Sequence, residues 1–120
     1  FEEVISMKRA VYGDNSIPVG KTINSYAILL AKHGRMNDAL RNYEIARKTY
    51  RNAPATLVMD PEVEIKRDYD VTLITLNIAS IYSKKGELKR ALEFYEEGVQ
   101  GLNEYDAAMD NLREASGVVD

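Results

Sequence analysis

Apolar side chains recur along this chain at steps of three and four residues, with polar ones filling the intervals, which is the period of a helix packed on one face. From Phe1 to Tyr12 the apolar positions are Phe1, Val4, Ile5, Met7 and Val11. The run GDNSIPVG that follows stops this helix, because Gly13 accepts a left-handed cap and Asp14, Asn15 and Pro18 favour turns. A second helix, about Val19 to His33, carries Ile23, Tyr26, Ala27 and Leu30 on one face and ends at Gly34. A third begins at Asn37 or Asp38 and buries Ala39, Leu40, Tyr43, Ala46 and Tyr50.

Residues 52–68 break the pattern. Pro54 stops the preceding helix, and Asp60-Pro61 is a good helix start. This stretch is either a loop or a backward extension of the next helix to Pro61; EVEIKRDYD contains no breaker, which favours the extension. That helix buries Ile74, Ile78, Ala79, Ile81 and Tyr82 and ends at Gly86. The next starts near Glu87 and is expected to bury Ala91, Leu92, Phe94 or Tyr95, and Val99. Gly98 and Gly101 interrupt it, each roughly 1 kcal/mol less favourable than Ala in a helix interior. Beyond them Tyr105, Ala108, Met109, Leu112 and Ala115 keep the helical period to Gly117, as a continuation or as a separate helix.

The pattern repeats. Shifted by 52 residues, Ala27, Lys32, Gly34, Ala39, Leu40, Tyr43 and Glu44 fall on Ala79, Lys84, Gly86, Ala91, Leu92, Tyr95 and Glu96. Self-similarity of this length marks a stacked, quasi-one-dimensional array. The parse is residues 1–13 as the second helix of a truncated repeat, 19–52 as a full repeat, 53–67 as an insertion, 68–103 as a second full repeat and 104–117 as a further helical segment. The opening on Phe1, already inside a helical pattern, reads as a piece of a longer protein with neighbouring repeats.

Composition narrows the function. With 45% hydrophobic and 29% charged residues the 120-residue chain has the balance of one globular domain. Cys is absent, which fits a reducing compartment and a cytoplasmic location. The net charge is −3 and the excess acid sits late, in Glu96, Glu97, Glu104, Asp106, Asp110, Glu114 and Asp120 against Arg113 alone. Such a balance offers no basic stripe for nucleic acid, and the apolar runs are too short for a membrane helix. The single histidine, His33, sits at a helix end, where a cation complements the dipole. One His and no Cys make no zinc site, and the glycines form neither GxGxxG nor a P-loop. No catalytic, cofactor or metal residues are therefore assigned, and the chain is expected not to be an enzyme.

Ile78-Ala79 followed by Tyr82, Gly86, Ala91 and Tyr95 resembles the tetratricopeptide (TPR) consensus. Ile23, Tyr26, Ala27, Leu30, Gly34, Ala39, Tyr43 and Ala46 match it again, with Ile23 and Thr75 where the family usually opens on Trp. The connector Gly13-Asp14-Asn15-Ser16-Ile17-Pro18-Val19 and a 42-residue interval look like the kinesin-light-chain subgroup. The resemblance implies an all-α fold, antiparallel helix hairpins stacked in a right-handed superhelix, an α-solenoid fragment. It also implies a concave groove, lined by the first helix of each hairpin, that holds a peptide of a partner protein, as in a cargo adaptor.

The stripe opposite the buried face is then the candidate groove: Lys21, Asn24, Ile28 and Lys32 in one repeat, and Leu73, Leu76, Asn77, Ser80 and Lys84 in the next. Amides hydrogen-bond an extended backbone and the lysines attract carboxylates, so an acidic, partly apolar peptide would suit it. Two rival expectations stand beside this scaffold role. One is a structural spacer or oligomerisation array within a larger signalling protein. The other is a co-chaperone clamp for a C-terminal carboxylate, which Lys21, Asn24 and Asn77 fit in part, although Ile28 stands where the clamp's second Asn belongs.

Overall fold

The computed structural model describes residues 1–54 and 60–117, and every regular element among them is helical. They are α1 (Glu2–Tyr12), α2 (Ile17–Lys32), α3 (Met36–Arg51), α4 (Pro61–Lys84) and α5 (Leu88–Ala115). Of the predicted insertion, residues 55–59 lie outside the described residues, while 61–67 are helical. The backward extension is therefore real. Asp60 caps α4 by accepting from the Glu62 N–H at 2.9 Å, and Pro61 opens the first turn.

Two hairpins, α2–α3 and α4–α5, close with the same turn. Gly34 and Gly86 take φ of 77° and 79°. The Gly34 N–H donates to Ala31 O and the Arg35 N–H to Leu30 O; 52 residues later Gly86 donates to Ser83 O and Glu87 to Tyr82 O. This paired bonding is a Schellman motif, which satisfies the last carbonyls of one helix and needs a left-handed residue at its centre. Three-residue turns between helices in extensive contact force each pair to run antiparallel. Lys85 also donates to Asn37 Oδ1 at 2.5 Å, tying one turn region to the other.

The core follows the predicted periodicity. Ile23, Ala27 and Leu30 of α2, Ala39, Tyr43, Ala46 and Tyr50 of α3, and Ile74, Ile78, Ala79 and Ile81 of α4 are buried, with Ala91 of α5. The four repeat alanines are at most 3% exposed, as close helix crossings require. Consecutive helices contact one another, α3 packs on α4, and α2 touches α4. The radius of gyration is 15.8 Å, against about 14 Å for a compact domain of this length, so the helices form an extended layer rather than a ball. The arrangement is compatible with a helical-repeat or α-solenoid design. No helix among the described residues is long and apolar enough to cross a membrane.

Several expectations need correction. Helix α2 starts at Ile17, not Val19, because Ser16 accepts from the Val19 N–H and Pro18 is accommodated in the first turn. Helix α3 starts at Met36, one residue before the earlier of the two expected starts. Residues 88–115 are one helix, so the segment from Tyr105 to Ala115 is a continuation and not a separate helix. Gly98 and Gly101 do not break it because α4 presses on them: a Cβ at Gly98 would lie 2.7 Å from Leu76 Cγ, and one at Gly101 would lie 2.9 Å from Thr72 Cγ2. Leu92 and Val99 were expected inside and are 59% and 53% exposed, while Phe94 rather than Tyr95 packs on the core. Arg47, the counterpart of Val99 on α3, reaches Thr75 of α4. Helix α5 packs on α4 and meets α3 through Glu97 with Arg47 and Arg51, and no helix among the described residues covers Leu92 and Val99.

Candidate functional site

Helices α2 and α4 present neighbouring surface stripes because both carry polar or small apolar residues at three- and four-residue spacing beside their buried faces. On α2 the stripe is Lys21, Asn24, Ile28 and Lys32; on α4 it is Leu73, Asn77, Ser80 and Lys84. The helices draw together at their N-terminal ends. There a cleft of about 360 Å³ is lined by Ile17 and Lys21 of α2 and by Asp60, Glu62, Val63, Lys66, Arg67 and Asp70 around the start of α4.

Of the nine residues expected in the groove, only Lys21 lines this cleft. Lys32 and Lys84 are exposed in the last turns of their helices. Asn77 and Ser80 are half-buried and Leu73 is 38% exposed. Ile28 packs partly on the core. Leu76 is withdrawn from the groove, because its side chain fills the space that the missing Cβ of Gly98 opens between α4 and α5.

Val63, Lys66 and Asp70 were missed. They continue the α4 stripe backwards from Leu73 at steps of three, four and three, on the very extension the sequence favoured. Carrying the helical period down to Pro61 would have found them.

The electrostatics of the two helices differ. On α4, Lys66 Nζ pairs with Asp70 at 2.9 Å, and this hydrogen bond and charge raise the lysine's pKa. Asp70 also bonds the hydroxyl of Tyr50, the buried residue near the end of α3 whose ring occupies the space above Gly20. Burial first, then the Asp70 charge and hydrogen bond, push the Tyr50 hydroxyl well above the usual phenol range. Asp70 thus joins α3 to α4 at the cleft wall.

On α2, by contrast, Lys21 and Lys32 have no partner among the described residues, and the buried Oδ1 of Asn24 between them accepts no hydrogen bond. Lys84 on α4 is likewise unpaired. An unsatisfied buried acceptor costs about 1–3 kcal/mol. Among the described residues no cluster of His, Cys, Asp or Glu could hold a metal ion. His33 is exposed at the C-cap of α2.

Against this geometry, comparison with known proteins finds no matching family model, no matching curated relative and no matching solved structure.

Proposed function

We propose that the chain is a non-catalytic, TPR-type interaction module that holds a short, acidic and partly apolar peptide segment of a partner protein along α2 and α4. The observation that carries this reading is the α2 face on which two unpaired lysines, Lys21 and Lys32, bracket the buried, unpaired Oδ1 of Asn24. An extended peptide supplies both missing groups. Its carboxylates meet the ammonium groups, and a rotation of the half-buried Asn24 side chain would bring the enclosed amide oxygen out to a peptide N–H. Half-exposed Leu73 adds an apolar contact and Lys84 a third cation at the far end. The kinesin-light-chain resemblance and a cytoplasmic adaptor role belong to the same proposal, as does the right-handed superhelix.

The test is selection from a displayed library of random unstructured peptides, followed by fluorescence anisotropy with the enriched sequences. Enrichment of Asp/Glu together with Leu or aromatic residues is expected. Lys21→Glu with Lys32→Glu should weaken binding at least about tenfold, and Asn24→Ala about fivefold or more. Binding should also weaken as salt rises. Absence of enrichment, or undiminished affinity in the double charge reversal, would defeat the proposal.

A further inference from the structure

Helix α5 carries an exposed apolar seam. Leu88, Leu92, Tyr95 and Val99 are 67%, 59%, 39% and 53% exposed, and half-buried Leu102 follows. Their spacing is four, three, four and three, the a/d pattern of a helix that packs along another helix. The chain shows what this face accepts: the positions 52 residues earlier, Met36, Leu40, Tyr43 and Arg47, lie on α3, which packs on α4. There Tyr43 is buried, and Arg47 reaches Thr75 of α4 at 3.3 Å. The face on α5 is therefore built for a helix.

We propose that the occupant is α5 of a second copy of this chain, packed antiparallel in a two-fold symmetric dimer. Laying Leu88 against Val99 of the second copy, and Leu92 against its Tyr95, closes the seam on itself. The same register brings Lys89 beside Glu96 of the second copy, and the two-fold repeats the contact. Lys89 and Glu96 each follow a seam residue by one position, so they flank it on one side. Neither has a partner among the described residues. This contact is specific to the antiparallel pairing, since in a parallel pair these positions face the opposite flank of the second seam and not each other.

The four exposed seam residues offer on the order of 400 Å² per copy, about half of what a standard interface buries per partner, and the flanking side chains supply the rest. The seam is separate from the α2 face, so the dimer and the peptide groove stand or fall independently.

Light scattering on the eluting chain, loaded at about 100 μM, should give twice the 13.6 kDa chain mass, falling towards a single chain on dilution. Leu92→Glu should remain one chain at all concentrations with an unchanged helical circular-dichroism spectrum, since position 92 is exposed. Lys89→Glu alone should raise the dissociation constant about tenfold, and adding Glu96→Lys should restore it. A single-chain mass for the unaltered protein at about 200 μM overturns the proposal. So does a mass that grows past two chains, which would signal head-to-tail association through the apolar face of α1. Failure of the double charge swap to restore pairing overturns the antiparallel register.

Discussion

Replacing Gly101 by Ala sets helix propensity against packing in a way the structure resolves. Propensity favours the change by about 1 kcal/mol. The new Cβ, however, would arrive 2.9 Å from Thr72 Cγ2 and 3.2 Å from Thr72 Cβ, and nearer still to Oγ1. Thr72 cannot step aside easily. Its χ1 is restricted by branching at Cβ, and its hydroxyl donates to Asp68 O at 3.0 Å. Turning it puts a methyl where the oxygen was and gives up a hydrogen bond of about 1 kcal/mol, while holding it requires α4 and α5 to separate. Overpacking of this kind costs ~1–3 kcal/mol, so Gly101→Ala should be net destabilising by about 1–2 kcal/mol. Thr72→Ala removes both contacting γ atoms. In the double variant the propensity gain should reappear, with a coupling of about 2 kcal/mol between the sites. Urea unfolding at fixed temperature reads this as a lower midpoint for Gly101→Ala at unchanged m. A raised midpoint for Gly101→Ala, or additive effects of the two substitutions, would refute the reasoning.

Three further outcomes are expected. Ala39→Leu inserts a side chain at a fully buried position and should cost ~1–3 kcal/mol in denaturant unfolding; a cost below about 0.5 kcal/mol would show that the α2–α3 crossing is loose. Gly34→Ala meets no atom within 4 Å, so only its φ of 77° opposes it, and a loss of about 1 kcal/mol should appear as a melting point lower by about 4 °C. Tyr50 keeps its proton in the folded state to higher pH than in the unfolded state, because burial and Asp70 raise its pKa. Its contribution is therefore intact below pH 10 and is lost as pH climbs above that, where the unfolded chain ionises first. Melting points between pH 8 and 11.5 should fall less steeply above pH 10 in Tyr50→Phe than in the parent, although Tyr50→Phe starts lower through its lost hydrogen bond; identical alkaline slopes would exclude this linkage.

The relative positions of the candidate groove residues were legible along α2 and only in part along α4. Lys21, Asn24 and Lys32 could be placed on one face because a single helix of regular period fixes their relative positions. Leu76 was misplaced since its neighbour is decided by Gly98, 22 positions away, and nothing local announces that a missing Cβ on one helix admits a leucine from another. Asp70 escaped notice for a similar reason: its link to Tyr50 joins α3 to α4 across the stretch that broke the repeat.

Local chemistry determined the helices, the two Schellman turns at Gly34 and Gly86 and the cap at Asp60, because each depends on residues within about one turn of chain. Tertiary structure alone decided that α5 runs unbroken through two glycines, that Leu76 packs inward, and that Leu88, Leu92 and Val99 face solvent. Periodicity names an apolar face, but only the presence or absence of a neighbouring helix determines whether that face becomes core or surface.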